Sequence, residues 1–221
     1  METTLHRQLK EKFAGRTGET EVKLGRFRID VVKGKRLIEI QHSSLSAIRD
    51  KIRKLCEEYR VDVVKPLVTR KRLIKLAEQG GAVVDERWSP KRGRPVDLFE
   101  ELVYFTRAFP DPNLTLLVPH IEVEEVRYPG HGRRRRRREN DYQVEDLRIV
   151  DFGETIRFRK PRDWFKLAPG RFPRQFDTQQ LADRMGVRRW EAQRAAYCLR
   201  KIGAIKQVGK KGNAILYSKV A

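Results

Sequence analysis

Asp30 and Glu39 are the two residues whose placement asks for chemistry. They sit in RIDVVKGKRLIEIQ, residues 28–41. Ile29, Val31, Ile38 and Ile40 recur at every second position, the period of a strand with one buried face. Gly34-Lys35 suits a Gly-first two-residue turn. Counting outward from that turn pairs Lys33 with Arg36 and sets Asp30 opposite Glu39. Opposed side chains on one face lie about 5 Å apart, and two like charges so placed weaken a hairpin. A shared divalent cation removes the conflict, and an all-oxygen pair suits Mg²⁺ or Mn²⁺. Arg28 and its basic neighbours, or a register slipped by one, would remove it without a metal.

The elements around this hairpin read as α/β. Leu5, Leu9 and Phe13 mark an amphipathic helix over 3–14. Strands are expected at 19–25, 26–33 and 36–41, and Ser46 can cap a helix running to Tyr59 over Ile48, Ile52 and Leu55. VDVVKPLV (61–68) reads as a buried strand and 70–79 as a helix. GAVVDERW is extended, and Pro95 opens a helix over Phe99, Leu102 and Val103. Residues 114–126 are extended again, with Pro119 marking an edge or a bend. Helices alternating with strands after an initial meander predict a three-layer α/β domain over 1–126.

The net charge is +20 over 221 residues. Residues 1–126 hold 25 basic and 20 acidic residues, whereas 127–221 hold 25 and 10. Such a field favours a polyanion, with nucleic acid first, although a ribosomal or membrane surface would produce the same sum. Arg133, Arg134, Arg135, Arg136, Arg137 and Arg138, flanked by Gly and Pro, read as part of a basic connection over 127–170. No apolar run is long enough for a membrane helix, and no signal-peptide pattern opens the chain. Cys56 and Cys198 lack metal-ligand spacing, so buried thiols and a cytoplasmic location are expected.

From Phe176 the pattern changes. Asp177 or Thr178 caps a short helix, Gly186-Val187 makes a turn, and a second helix runs from Arg188 to Ile202. Two extended pieces follow around GKKGN. This order resembles a winged helix-turn-helix over 171–221. It would place Arg188, Arg189, Gln193 and Arg194 in a major groove and Lys210 and Lys211 at phosphates.

Asp30, eight intervening residues, then Glu39-Ile40-Gln41 resembles the signature of the PD-(D/E)XK, or restriction-endonuclease-like, nuclease superfamily. IEIQHSS is similar to the variant in competence-associated nuclease-like proteins. The order helix, three antiparallel strands, helix, strand is also similar over residues 1–70. The resemblance implies a mixed central sheet, Mg²⁺ or Mn²⁺ on Asp30 and Glu39, and hydrolysis of phosphodiesters. Gln41 stands where that superfamily has Lys. Gln is not a cationic activator, although it can orient water. In some members the Lys has moved to the following helix, which nominates Lys51. An added acid would come from Glu11, Glu19 or Glu21. His6 and His42 each stand alone and read as structural. SPKRGR (89–94) is either a phosphate-contacting loop or a solvated turn.

Three functions follow as expectations. The first is a divalent-metal-dependent DNA nuclease aimed by a C-terminal winged helix, working singly or as a homodimer. The second is a non-catalytic DNA-binding protein or regulator on a nuclease-like scaffold. The third is an RNA-binding factor.

Overall fold

A computed structural model describes residues 3–131 and 141–220. Arg133 to Arg138 lie outside the described residues.

The chain opens with α1 (Thr4–Ala14), capped by the Thr3 side chain on the His6 N–H. Then come β1 (Glu19–Leu24), β2 (Phe27–Lys33) and β3 (Arg36–Ile40), two antiparallel pairs in sequence order. After a 3₁₀ turn at Leu45–Ala47, α2 (Arg49–Cys56) crosses to β4 (Arg60–Val64), which runs parallel to β3. The single helix expected from Ser46 is therefore split. Ser44 caps the 3₁₀ turn through the Ser46 N–H, and α2 starts afresh at Arg49.

β5 (Leu67–Leu76) and β6 (Val83–Trp88) follow, then α3 (Leu98–Phe105), β7 (Leu114–Pro129) and β8 (Tyr142–Phe158). β7 organises the sheet. Its first residues pair in parallel with β4 and its later ones with β5, while β8 covers it antiparallel from Leu116 to Pro129. The result is an α/β architecture on a mixed sheet.

Two expectations fail here. Residues 70–79 are not a helix, because the basic run of β5 lies against the acidic run of β7. Lys71 meets Glu125 at 2.6 Å, Arg72 meets Glu124 at 3.1 Å and Arg70 meets Glu122 at 3.5 Å. Those partners are more than fifty residues away in the chain, so local periodicity misses them. Nor is 127–170 all connection, since 142–158 is the long strand β8, followed by 3₁₀ turns at Pro161–Leu167.

Successive residues on the central strands feed opposite cores, the period-two rule of a sheet buried on both sides. Leu37, Val61, Val63 and Leu116 pack with α2 and α3, whereas Ile38, Ile40, Val64 and Leu117 pack with Leu5 and Leu9 of α1. α1, sheet and the remaining helices thus make three layers.

The C-terminal segment comprises α4 (Thr178–Met185), α5 (Arg189–Lys201) and the antiparallel pair β9 (Ile205–Lys211) and β10 (Ala214–Lys219). Asp177 caps α4 through the Gln179 and Gln180 N–H groups, and Gly186 ends it in the left-handed conformation. Lys210 and Lys211 belong to β9 itself, and the turn is Gly212-Asn213. This unit shares the larger core with the α/β domain. Phe176, Leu181, Ala195 and Leu199 join Phe99, Leu102, Phe109 and Trp164 in one buried cluster. Trp164 stacks on Phe158 with ring centroids 4.3 Å apart and meets Phe99 at 5.3 Å. Cys56 and Cys198 are free and buried, and burial pushes both thiols up to about 12. Among the described residues no helix is long and apolar enough to cross a membrane.

A shared core unfolds as a unit. Trp164→Ala should cost about 3–5 kcal/mol, and calorimetry of the wild type should show one transition. Two separable transitions would contradict the common core.

Candidate active site

The hairpin register is the one the turn dictates: Lys33 faces Arg36 and Val31 faces Ile38. The ladder then stops. At the next step the Asp30 side chain replaces a ladder carbonyl, its Oδ2 accepting from the Ile40 N–H at 2.7 Å. A short polar side chain that captures a neighbouring strand's N–H ends pairing and holds the carboxylate beside β3.

Three strands bring three acids into one row. In the β1–β2 register, Thr20 faces Val31 and Val22 faces Ile29, so Glu21 stands across from Asp30. Asp30 in turn leads to Glu39. Each acid meets a basic side chain from a helix. Glu21, held at φ 59°, is bonded by Lys10 of α1 and by Arg28. Asp30 Oδ1 lies 3.4 Å from His6 Nε2, also on α1. Glu39 Oε2 accepts from Lys51 Nζ of α2 at 2.7 Å, and the same ammonium donates to the Arg28 carbonyl at 2.5 Å. Lys51, placed on the border of the α2 stripe by sequence, therefore reaches the second carboxylate. Glu21 is the one of the three candidate acids that joins the row. His6 had read as structural; only the α1–sheet packing shows that it faces Asp30.

Burial separates the two central acids. Asp30 is half-buried, and burial alone would raise its pKa. The His6 contact, the Ile40 N–H and nearby Lys51 outweigh that effect, and its carboxyl lies below the usual range. Glu39 is 3% exposed. Burial dominates there, and against the pull of Lys51 it pushes the carboxyl up to about 7, with the Asp30 charge adding to the rise. Glu39 Oε1 is buried without a hydrogen-bond partner. Asp62 on the adjacent strand is the contrast: it is equally buried, but Arg36 Nη1 serves both its oxygens at 2.8 and 2.9 Å. A buried carboxylate oxygen with no donor is costly, and a bound cation would satisfy it.

Asp30 and Glu39 are the residues that could hold a divalent ion, of the kind that keeps several waters and takes few protein oxygens. Among the described residues no group of three or more His, Cys, Asp and Glu is placed to hold a metal. Gln41 is committed elsewhere: its Nε2 donates to Ser43 Oγ at 2.6 Å and to the Ser44 carbonyl at 2.8 Å. Lys65, missed by sequence, directly follows β4 and is buried against the same turn. It donates to the His42 and Ser43 carbonyls and lies 3.4 Å from Glu101.

On the C-terminal unit, Arg188, Arg189 and Gln193 are exposed, as are Lys210 and Lys211. Arg194 is not a free reader: it pairs with Glu100 of α3 and lies over the Trp190 ring at 5.1 Å. Arg94 of SPKRGR likewise meets Glu191 of α5 at 2.5 Å. Trp190 and Tyr197, 50% and 41% exposed, are the aromatic groups of α5 that sequence reading passed over.

A family model covering residues 3–159 matches this chain, spanning α1 to the end of β8. The chain belongs to that family, a domain of unknown function (DUF8091). The family domain contains the acid row and Lys51 and stops before α4. An uncharacterized protein of Treponema pallidum (strain Nichols) is 28% identical over 220 residues, covering 99% of this chain and 85% of that protein. The likeness to it therefore runs through the C-terminal unit as well. No solved structure matches.

Because Glu39 binds its proton more tightly folded than unfolded, its ionisation is a burden on the fold. Stability from this group is full below about pH 4.5 and falls as the pH rises toward 7, by about 3 kcal/mol in all. Glu39→Gln should flatten that fall in urea unfolding between pH 4.5 and 8. An unaltered pH profile would mean that Glu39 is not the buried acid responsible.

Proposed function

We propose that this protein is a divalent-metal-dependent DNA nuclease of the PD-(D/E)XK type, with its C-terminal unit serving as a winged helix that holds DNA. The observation that carries the reading is Glu39: a buried carboxylate beside Asp30, with Lys51 on one oxygen and no partner on the other. Structural ion pairs are normally satisfied on both oxygens, as Asp62 is.

In this reading Asp30 and Glu39 hold Mg²⁺ or Mn²⁺. The cation supplies Lewis acidity, lowering the pKa of water and offsetting charge on the scissile phosphate. The chain's own residues do the rest. The Ile40 N–H and His6 fix and ionise Asp30. Lys51 favours the ionised form of Glu39 and brings an ammonium to the site, the part taken in the superfamily by the lysine that Gln41 replaces. Gln41 ties down the turn that follows β3. Water gives up a proton to solvent and adds to phosphorus as the P–O ester bond breaks, and the leaving oxygen takes up a proton from solvent.

Substitution at Asp30→Asn or Glu39→Gln should each abolish cleavage of plasmid and linear DNA in Mn²⁺. Lys51→Met should lower kcat by about 10²–10⁴, the usual worth of a positioned proton donor or acceptor. Mn²⁺ should raise the wild-type melting temperature and leave Glu39→Gln unmoved.

A second reading has its own support. Both acids already receive protein donors, and among the described residues no group of three or more His, Cys, Asp and Glu is placed to hold a metal. That favours a non-catalytic DNA-binding protein on a nuclease-like scaffold. Retained DNA binding with no cleavage in Mg²⁺ or Mn²⁺, and no thermal shift by either ion, would select it.

A further inference from the structure

The strands β6, β5, β7 and β8 carry a second feature, remote from the acid row. Their register places Arg87, Leu73, Glu125 and Leu147 in one row across the four strands. Residues two positions along share that face, which adds Lys71 and Lys75 from β5 and Arg127 from β7. Two adjoining concavities open there, of about 600 and 580 Å³, and both are bordered by Arg87, Arg127 and Tyr142. The second also takes in Lys91 and Arg92.

Charge in this trough is one-sided. Six basic residues face Glu125, Asp85 and Asp141. Glu125 is already bonded to Lys71 at 2.6 Å, and Asp141 to His131 at 2.6 Å. Asp85 reaches Arg87 only at 3.9 Å. Lys75, Arg87, Lys91 and Arg92 are exposed. The loop bearing the last two is anchored along the edge of β5. The Ser89 N–H donates to the Lys71 carbonyl at 2.8 Å and the Gly93 N–H to the Val68 carbonyl at 3.0 Å. A Cβ at Gly93 would lie 2.4 Å from that carbonyl oxygen, so the approach requires glycine. Between the cations lie apolar groups: Val68, Leu73 and Pro90 in one concavity, Tyr128 and Pro129 in the other.

We infer that this trough binds single-stranded nucleic acid along its sugar–phosphate backbone. Successive same-face residues of a strand stand about 6.6–6.8 Å apart, which suits the phosphates of an extended single strand. Cations alternating with apolar and aromatic surface are what such a strand needs, the former for phosphates and the latter for bases. Concavities of this size admit single nucleotides, not a duplex. The inference takes its ligand class from the nucleic-acid reading above, but it does not depend on Asp30, Glu39 or any metal.

The test is fluorescence anisotropy with a labelled oligothymidylate and a labelled duplex of equal length, on the full chain in EDTA, so that cleavage plays no part. Lys75→Glu with Arg87→Glu and Arg92→Glu should weaken single-strand binding at least tenfold and flatten its salt dependence. Duplex binding should change less than threefold. A matched reversal on the hairpin side, Lys23→Glu with Arg26→Glu and Lys35→Glu, controls for net charge and should leave single-strand affinity within twofold. Should the trough variant fold poorly, the three Gln substitutions should still cost at least threefold. Unchanged single-strand affinity, an equal loss on the duplex, or an equal loss in the control would overturn the inference. A failure of the nuclease reading alone would appear as absent cleavage with this binding pattern intact.

Discussion

β7 is the strand on which the rest of the molecule depends. Every N–H and C=O along its sixteen residues must find a partner. β4 and β5 share one edge and β8 takes the other. The first half of β7 is apolar and binds β4, so it lies between the two cores. The second half is acidic and binds the basic β5, so its charges are met across the ladder. One strand thus serves both as the middle of a buried sheet and as the support of a charged extension. The change of partner falls where β4 ends and Pro66 interrupts the chain. A proline removes the N–H that would let β4 run on unbroken.

The acid row depends on this frame at one remove. β7 fixes β4, and β4 fixes β3 in parallel register, with Glu39 beside Val63. α2, the crossover between β3 and β4, brings Lys51 back over Glu39. The desolvation of Glu39 is thus a consequence of topology: it lies on a strand covered on both faces. Proteins tolerate such costs mostly where the group has a task. The proposal for Glu39 rests on that asymmetry with the fully served Asp62.

Much of this was legible in the sequence. The turn at Gly34-Lys35 dictated the register from Lys33–Arg36 to Val31–Ile38, and the stripe of α2 put Lys51 near the acids. The cap at Asp177 and the left-handed Gly186 marked α4. What could not be read was set by distant pairing. Residues 70–79 carry a helical rhythm, yet their charges match Glu122, Glu124 and Glu125 on a strand fifty residues on. His6 joins Asp30 only because α1 packs on the strand meander, and Glu21 stands across from it through the β1–β2 register. Gln41 was expected to face the acids, but the serines that follow it offered its amide nearer acceptors. Arg194 looked like a free base reader because its partner, Glu100, belongs to another layer.

The C-terminal helices are not tethered by a flexible hinge. α5 is pinned to α3 by Arg194–Glu100 and to the loop before α3 by Arg94–Glu191, and its apolar side is continuous with the core around Trp164. In the proposed nuclease, DNA held by α5 would be presented to the sheet at one bearing and one distance. The molecule would then work as a caliper with a fixed gap, the cut position set by rigid geometry and not by the reach of a swinging arm.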